Sequence, residues 1–176
     1  MIRKAQKDDT ERIAEIYDAI IESDNSADSG DSHVGWQKGV YPTAKTAEDA
    51  LERDDMFVMV ERGRIVASAI INRVQIDSYR KCNWKYAADD SEVMVLHTLC
   101  ADPAESGNGY GKRFVAFYEN YAAENGCTCL RMDTNERNTN ARRMYKKLGY
   151  DEAGIVPCDF NGIKGIGLVC LEKKIK

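Results

Sequence analysis

Residues 92–101, EVMVLHTLCA, carry apolar side chains at neighbouring positions rather than at alternate ones. A strand with one wet face alternates apolar and polar residues, whereas a strand covered on both faces reads as a nearly continuous apolar run. The segment therefore predicts a strand inside a sheet with protein packed on both sides. The next residues, ADPAESGNGYGKRFV (101–115), place Gly107, Gly109 and Gly111 within five positions. They end the strand and lead into an amphipathic run, a strand–turn–helix junction with much backbone freedom at the turn.

The remaining pattern supplies the layers that such a strand requires. IRKA (2–5) reads as a short opening strand, and from Thr10 onward Ile13, Ile16, Tyr17, Ile20 and Ile21 form the stripe of a surface helix. TAEDALER (46–53) opens with Thr46 and Asp49, close to a capping box for a second, short helix. MFVMVERGRIVASAIINRV (56–74) gives two strands around Gly63. A helix follows at about 110–125 with Phe114, Phe117, Tyr118 and Tyr121 on one face, then a strand in CTCLRMDT (127–134). NTNARRMYKKLGY (138–150) reads as a helix with Ala141, Met144, Tyr145 and Leu148 inward and Gly149 as its stop. DEAGIVP and GLVCLEKK form a last strand pair around DFNG. The order β-α-α-β-β-β-α-β-α-β-β mixes hairpins with crossovers, which excludes a doubly wound sheet and a pure sandwich. At 176 residues, one domain spanning 1–176 is expected.

A net charge of −4 argues against a nucleic-acid partner. No apolar run approaches the ~18 residues of a membrane span, and MIRKAQKDDTERIAEIY lacks the apolar core of a signal peptide. A cytoplasmic protein without a membrane partner is expected. The six cysteines sit mostly inside apolar runs and read as free, buried thiols. Cys127 and Cys129 lack the two-residue spacer of a zinc or redox pair, and two histidines leave little for a metal, so none is expected.

A glycine turn entering a helix N-terminus is suited to an anion, because the first N–H groups of the helix are unpaired and its dipole favours negative charge. Lys112 and Arg113 add charge at the rim. A phosphate-binding P-loop needs a different spacing with Ser or Thr after the lysine, and the dinucleotide fingerprint needs G-x-G-x-x-G, so neither fits. From these residues alone, a tight turn and a phosphate cradle both remain open.

HTLCADPAESGNGYGKRFV resembles the acyl-CoA-binding segment of the GNAT-type N-acetyltransferase superfamily, which carries Arg/Gln-x-x-Gly-x-Gly/Ala between its fourth strand and the next helix. Gly109 and Gly111 take the two glycine positions and Pro103 a frequent upstream proline; Ser106 stands where that family prefers Arg or Gln. NTNARRMYKKLGY is similar to a second signature of the family, with Asn138, Ala141, Tyr145, Leu148, Gly149 and Tyr150 in place. With the order of elements, the resemblance covers nearly the whole chain. It implies a single-domain GNAT fold of mixed α/β (α+β) class: a mostly antiparallel sheet of the seven strands above, flanked by the four helices, with the strands at 93–101 and 128–134 as a parallel pair splayed at their C-terminal ends.

The resemblance also implies acetyl-CoA as cosubstrate. Its pantetheine arm would pair with backbone groups of Leu99 and Ala101, and its pyrophosphate would sit on N–H groups of Gly107, Asn108, Gly109, Tyr110, Gly111 and Lys112, with Cys100, Ser106 and Tyr145 also in the implied cofactor-binding set. The implied reaction is acetyl transfer to a primary amine by direct attack in a ternary complex, and the aromatic-rich loops favour a small-molecule acceptor. A catalytically silent CoA-binding sensor or assembly module is the alternative, and a homodimer remains open. Tyr145 is implied as the general acid, since a phenol near the sulfur can protonate the leaving thiolate. Asn138 either contacts the cofactor or caps its helix. Candidates for the general base are His97, which would titrate in a useful range but could equally be a core histidine, Glu92, and Asp133 on the neighbouring strand. The loops at 32–42 and 77–86 hold Trp36, Tyr41, Trp84 and Tyr86, plausible walls for the acceptor. Segment 22–31, with Glu22, Asp24, Asp28 and Asp31, reads first as a solvated acidic loop and second as a lure for a cationic amine.

Overall fold

The computed structural model describes residues 1–26 and 33–175. Asp28 and Asp31 of the acidic segment lie outside the described residues. In chain order the elements are β1 (Ile2–Lys4), α1 (Thr10–Ser26), α2 (Ala44–Glu52), β2 (Met56–Glu61), β3 (Arg64–Asn72), β4 (Val93–Ala101), α3 (Tyr110–Glu124), β5 (Cys129–Asn135), α4 (Thr139–Lys147), β6 (Asp151–Phe160) and β7 (Ile163–Lys174). The strands form one seven-stranded sheet in the order β1-β2-β3-β4-β5-β7-β6. Every neighbouring pair is antiparallel except the central pair β4–β5, which is parallel. The expected class, strand count and central parallel pair are all present.

Both faces of the sheet are covered, as the apolar run of β4 demands. Met94 and Leu96 turn to the face under α3 and α4, where Phe114, Val115, Tyr118 and Ala122 of α3 are buried against Leu130, Met132, Val169 and Leu171. Val93 and Val95 turn the other way, towards Tyr79, Cys129, Leu168 and Cys170. Further along that second face, α1 and α2 bury Ile13, Ile16, Tyr17, Ala47 and Ala50 on Met56, Val58 and Ile70. Cys100, Cys127, Cys129 and Cys170 are buried as small apolar groups. Tyr118, fully buried, donates its hydroxyl to Met94 O at 2.6 Å and thereby ties α3 to β4.

One helix start differs from expectation. α2 begins at Ala44 with Thr43 as its N-cap, and the Thr43 N–H donates to Thr46 Oγ1 at 3.0 Å. Thr46 is therefore the third helical residue of the capping pair and not its first. Among the described residues no helix is long and apolar enough to cross a membrane.

Candidate active site

The parallel pairing of β4 and β5 runs only from Val93↔Cys129 to Leu96↔Met132, although β4 continues to Ala101 and β5 to Asn135. Each strand stays bonded to its outer neighbour, β4 to β3 as far as Ala67↔Ala101 and β5 to β7 as far as Asn135↔Leu168. The sheet therefore splits along its middle. A bulge in β4 lies at the fork: Thr98 and Leu99 together stand opposite Ala69, and Thr98 has φ +49°. Bulges sharpen twist and bend the strand that carries them, which turns β4 away from β5. Asp102 N–H donates to Val66 O, and bonding alternates along an antiparallel edge. The backbone groups of Leu99 and Ala101 are thus aimed away from β3 and into the fork.

A cavity of about 540 Å³ occupies this opening, within the roughly 300–1,000 Å³ of small-ligand sites. It passes from one face of the sheet to the other. On the first face its wall is Leu99, Ala101, Ala141, Met144 and Tyr145, all packed with the α3–α4 core. On the second face it is Ile20, Trp36, Tyr41, Thr98, Phe160 and Ile166. The rings there meet edge to face, Trp36 on Tyr41 at 6.4 Å and Tyr41 on Phe160 at 5.1 Å. Tyr41 and Thr98 share a hydroxyl–hydroxyl bond of 2.5 Å.

A groove of about 380 Å³ beside the cavity runs over the glycine turn, lined by Pro103, Ser106, Gly107, Gly109, Tyr110, Gly111 and Lys112. Gly109 is the N-cap of α3 in the left-handed conformation, φ +72°, and supplies no side-chain cap. The backbone N–H groups from Gly107 to Lys112 find no acceptor among the described residues, the first helical bond being Arg113 N–H to Gly109 O. The other two glycines have separate reasons. Gly107 needs φ +86°; Gly111 is helical, and a Cβ there would press on Met144 Sδ at 3.3 Å, so it lets α3 and α4 approach. Ser106 is exposed at the junction of cavity and groove. Arg113 is spent on Glu61, which leaves Lys112 as the basic side chain lining the groove.

Tyr145 and Asp133 face the cavity from opposite sides. Tyr145 is buried on α4, and its hydroxyl makes no hydrogen bond among the described residues. Burial, followed by the charge of Asp133, raises its pKa well above that of an ordinary phenol. Asp133, on β5 just beyond the fork, has its pKa pushed up to about 6 by burial, against the opposing pull of the Tyr79 hydroxyl, which donates to Asp133 Oδ2 at 2.7 Å. The other groups near this carboxylate are Tyr41, Tyr145, Cys82 and Cys170, whose pKa values its charge raises, and no cation is among them. Among the described residues no cluster of three or more His, Cys, Asp or Glu could hold a metal ion.

Three of the sequence candidates stand elsewhere. His97 turns to the opposite edge of β4, where its Nε2 lies 3.1 Å from both Asn72 Oδ1 and Val74 O. Both are acceptors, because the Asn72 amide nitrogen is turned to Asp55, so Nε2 carries the proton. Burial lowers the His97 pKa to about 4, and the ring is a neutral structural donor outside the cavity. Glu92 precedes β4 and accepts the Asp89 N–H; it lies about 13 Å along the strand from Leu96, where the fork opens, at ~3.3 Å per residue. Trp84 is outside the cavity as well. Its Nε1–H donates to Tyr79 O at 2.9 Å and its ring carries the Arg131 guanidinium at 4.2 Å, so it braces Tyr79, which in turn holds Asp133. Tyr86 backs the same segment, its carbonyl accepting from Arg131. Asn138 both lines the cavity and caps α4, accepting the Ala141 N–H at 3.2 Å.

The loop that brings Trp36 and Tyr41 to the cavity is fastened at several points. Glu22 pairs with Lys38 at 2.7 Å, and Asp24 accepts the Val34 N–H at 3.2 Å and lies 2.7 Å from His33 Nδ1. These two acids therefore anchor the loop. Gly35 sits at φ +75° against the Asn135 side chain, which a Cβ would displace. Gly35→Ala is expected to cost about 1–2 kcal/mol from the left-handed backbone, read as a lower melting temperature.

A family model for the acetyltransferase (GNAT) family matches residues 13–150. MJ1207 of Methanocaldococcus jannaschii, named an uncharacterised N-acetyltransferase, is 25% identical over 161 residues, covering 88% of this chain and 62% of its own length. YhfO of Bacillus subtilis, named likewise, is 33% identical over 60 residues, 34% of this chain and 40% of its own length. The matches thus span less than two thirds of either curated relative. Among solved structures, a GNAT-family acetyltransferase of Streptococcus agalactiae superposes with a TM-score of 0.80 at 20% identity, covering 100% of this chain and 95% of that one. The yncA protein of Salmonella typhimurium, solved with its cofactor acetyl-CoA, gives 0.70 at 16% identity over 100% and 94% of the two chains. With a split parallel pair at its centre and a family match over most of its length, the chain belongs to the GNAT family of acetyltransferases.

Proposed function

We propose that the protein is an N-acetyltransferase that moves the acetyl group of acetyl-CoA to the primary amine of a small molecule by direct attack in a ternary complex. The observation that carries this reading is the through-sheet cavity with Tyr145 on one side and Asp133 at its fork. The residues present fit acetyl-CoA. The unpaired N–H groups from Gly107 to Lys112 suit a pyrophosphate, and the free edge at Leu99 and Ala101 suits an amide-bearing arm that pairs as a strand would. Ser106 offers a hydroxyl where an Arg or Gln would reach farther, so the backbone carries the anion.

Acetyl-CoA supplies the acetyl group in activated form, as a thioester. Asp133 accepts a proton from the acceptor's ammonium, directly or through one water, freeing the nitrogen lone pair to attack the acetyl carbon. As the carbon–sulfur bond breaks, the Tyr145 hydroxyl donates its proton to the departing sulfur, and the nitrogen sheds its second proton to solvent, which reprotonates Tyr145. The products are an amide and a thiol, with one proton released overall. Uptake of a proton by Asp133 also removes one of the two causes that hold the Tyr145 proton so firmly. Base and acid thus act in a favourable order.

Calorimetry with acetyl-CoA, followed by thiol release in the presence of an amine library, tests the assignment. Tight binding with no turnover on any amine would favour a silent CoA-binding module instead. Gly109→Val forces a β-branched residue to φ +72°, with nothing of the protein within 4 Å of the new Cβ. Its effect is therefore conformational, and the helix N-terminus must reorient. The expected result is an acetyl-CoA dissociation constant raised about tenfold, corresponding to 1–2 kcal/mol of backbone strain. A folded variant that binds normally would show the glycine to be a turn residue only.

A further inference from the structure

The wall of the cavity on its second face has a particular chemistry. Among the described residues that line the whole cavity there is no Lys, Arg or His, and Asp133 is the one charged group. Around it stand Trp36, Tyr41, Phe160 and Ile166. The hairpin tip between β6 and β7 closes over this end, with Gly162 so near Val40 that a Cβ would meet Cγ1 at 3.3 Å. The acceptor half is thus ringed by aromatics around one carboxylate, and the cavity's other polar side chains, among them Thr98, Thr134 and Asn135, are neutral.

Resting on the acetyltransferase reading, we propose that the acceptor is an aromatic or otherwise apolar primary monoamine with no carboxylate or second cation near its nitrogen. Its ammonium sits on Asp133, and its apolar body packs among Trp36, Tyr41 and Phe160. A carboxylate on the carbon bearing the amine would enter a low-dielectric site with no cation to pair with and would face Asp133 as a like charge. A polyamine would place its second ammonium where, among the described residues, no second carboxylate lines the cavity. The open-chain ammonium alone satisfies Asp133 but forgoes burial of apolar surface.

The test compares 2-phenylethylamine with L-phenylalanine, ethylamine, spermidine and a lysine-containing peptide as acceptors, by kcat/KM with saturating acetyl-CoA. The expected preference over L-phenylalanine is about 100-fold or more, the scale of an uncompensated buried charge. Over ethylamine it is about 10–100-fold, the scale of burying one ring. Phe160→Ala should shrink the second ratio and spare the first; a ratio on one enzyme is unaffected by loss of folded fraction. Calorimetric titration of Tyr145→Phe with 2-phenylethylamine and its neutral isostere 2-phenylethanol gives a readout independent of transfer, with the amine expected to bind more tightly. Transfer preferring L-phenylalanine, spermidine or the peptide overturns the acceptor assignment and leaves the acetyltransferase reading standing. Selective amine binding without transfer to any acceptor supports the acceptor pocket and overturns the acetyltransferase reading. Absence of both overturns both.

Discussion

Tyr145→Phe is expected to lower kcat with acetyl-CoA and a good amine acceptor by about 100-fold or more, the usual loss on removing a general acid. The ring itself should stay where it is. It packs edge to face on Tyr150 at 5.9 Å and belongs to the α3–α4 core, and phenylalanine reproduces those contacts. Its hydroxyl has no hydrogen-bond partner among the described residues, so removing it strands no buried polar group. Acetyl-CoA affinity and melting temperature should therefore hold while turnover falls, which separates a chemical role from a packing one. Single-turnover measurement of thiol release, free of any contribution from product dissociation, is the deciding assay. An unchanged rate there would remove Tyr145 from the chemistry.

Asp133→Asn should move activity and stability in opposite directions. Burial lifts the folded-state pKa of Asp133 to about 6, whereas an exposed aspartate titrates near 3.9. Between those values the folded protein keeps a proton that the unfolded chain has released, so stability falls as pH rises through that window. Above about pH 6 the full penalty is carried, on the order of 3 kcal/mol for a gap of about two pH units. An amide at this position carries no charge and can still accept from the Tyr79 hydroxyl. The variant should therefore melt higher than the parent at pH 8 and match it near pH 4. Turnover should fall by about 100-fold or more with the base removed, and the acidic limb of kcat/KM near pH 6 should disappear. A variant less stable than the parent at pH 8 would show that the carboxylate is held by compensating charge and not strained by burial.

Much of the fold is written locally. The stripe of α1, the glycine stop after α4 and the doubly apolar run of β4 each decide an element with little tertiary help, and the two motif segments reach the glycine turn and Tyr145 directly. Among the three candidates for the base, local pattern does not choose. His97 looks well placed because it lies mid-strand, but its ring is held by Asn72 and Val74, more than twenty positions away in sequence, and local pattern gives no sign of these partners. Asp133 is an ordinary aspartate in CTCLRMDT. What distinguishes it is a hydroxyl 54 positions away and a fork created by two strands that part, both products of tertiary structure. Trp36 and Trp84 are alike as loop aromatics, and only the course of the chain sends one to the cavity and the other beneath Tyr79.

The fork has a consequence for solubility. Beyond Leu96 and Met132, β4 and β5 each present an unpaired edge in the middle of a sheet, and bare edges are the places where foreign strands dock and chains begin to aggregate. Proteins usually protect such edges at the rim with charge, proline or a covering loop. Here the two edges face each other in a recess walled by Met144 and Tyr145 on one side and by Trp36 and Phe160 on the other. The fold thereby keeps backbone hydrogen-bonding capacity available to a slender ligand while hiding it from another polypeptide.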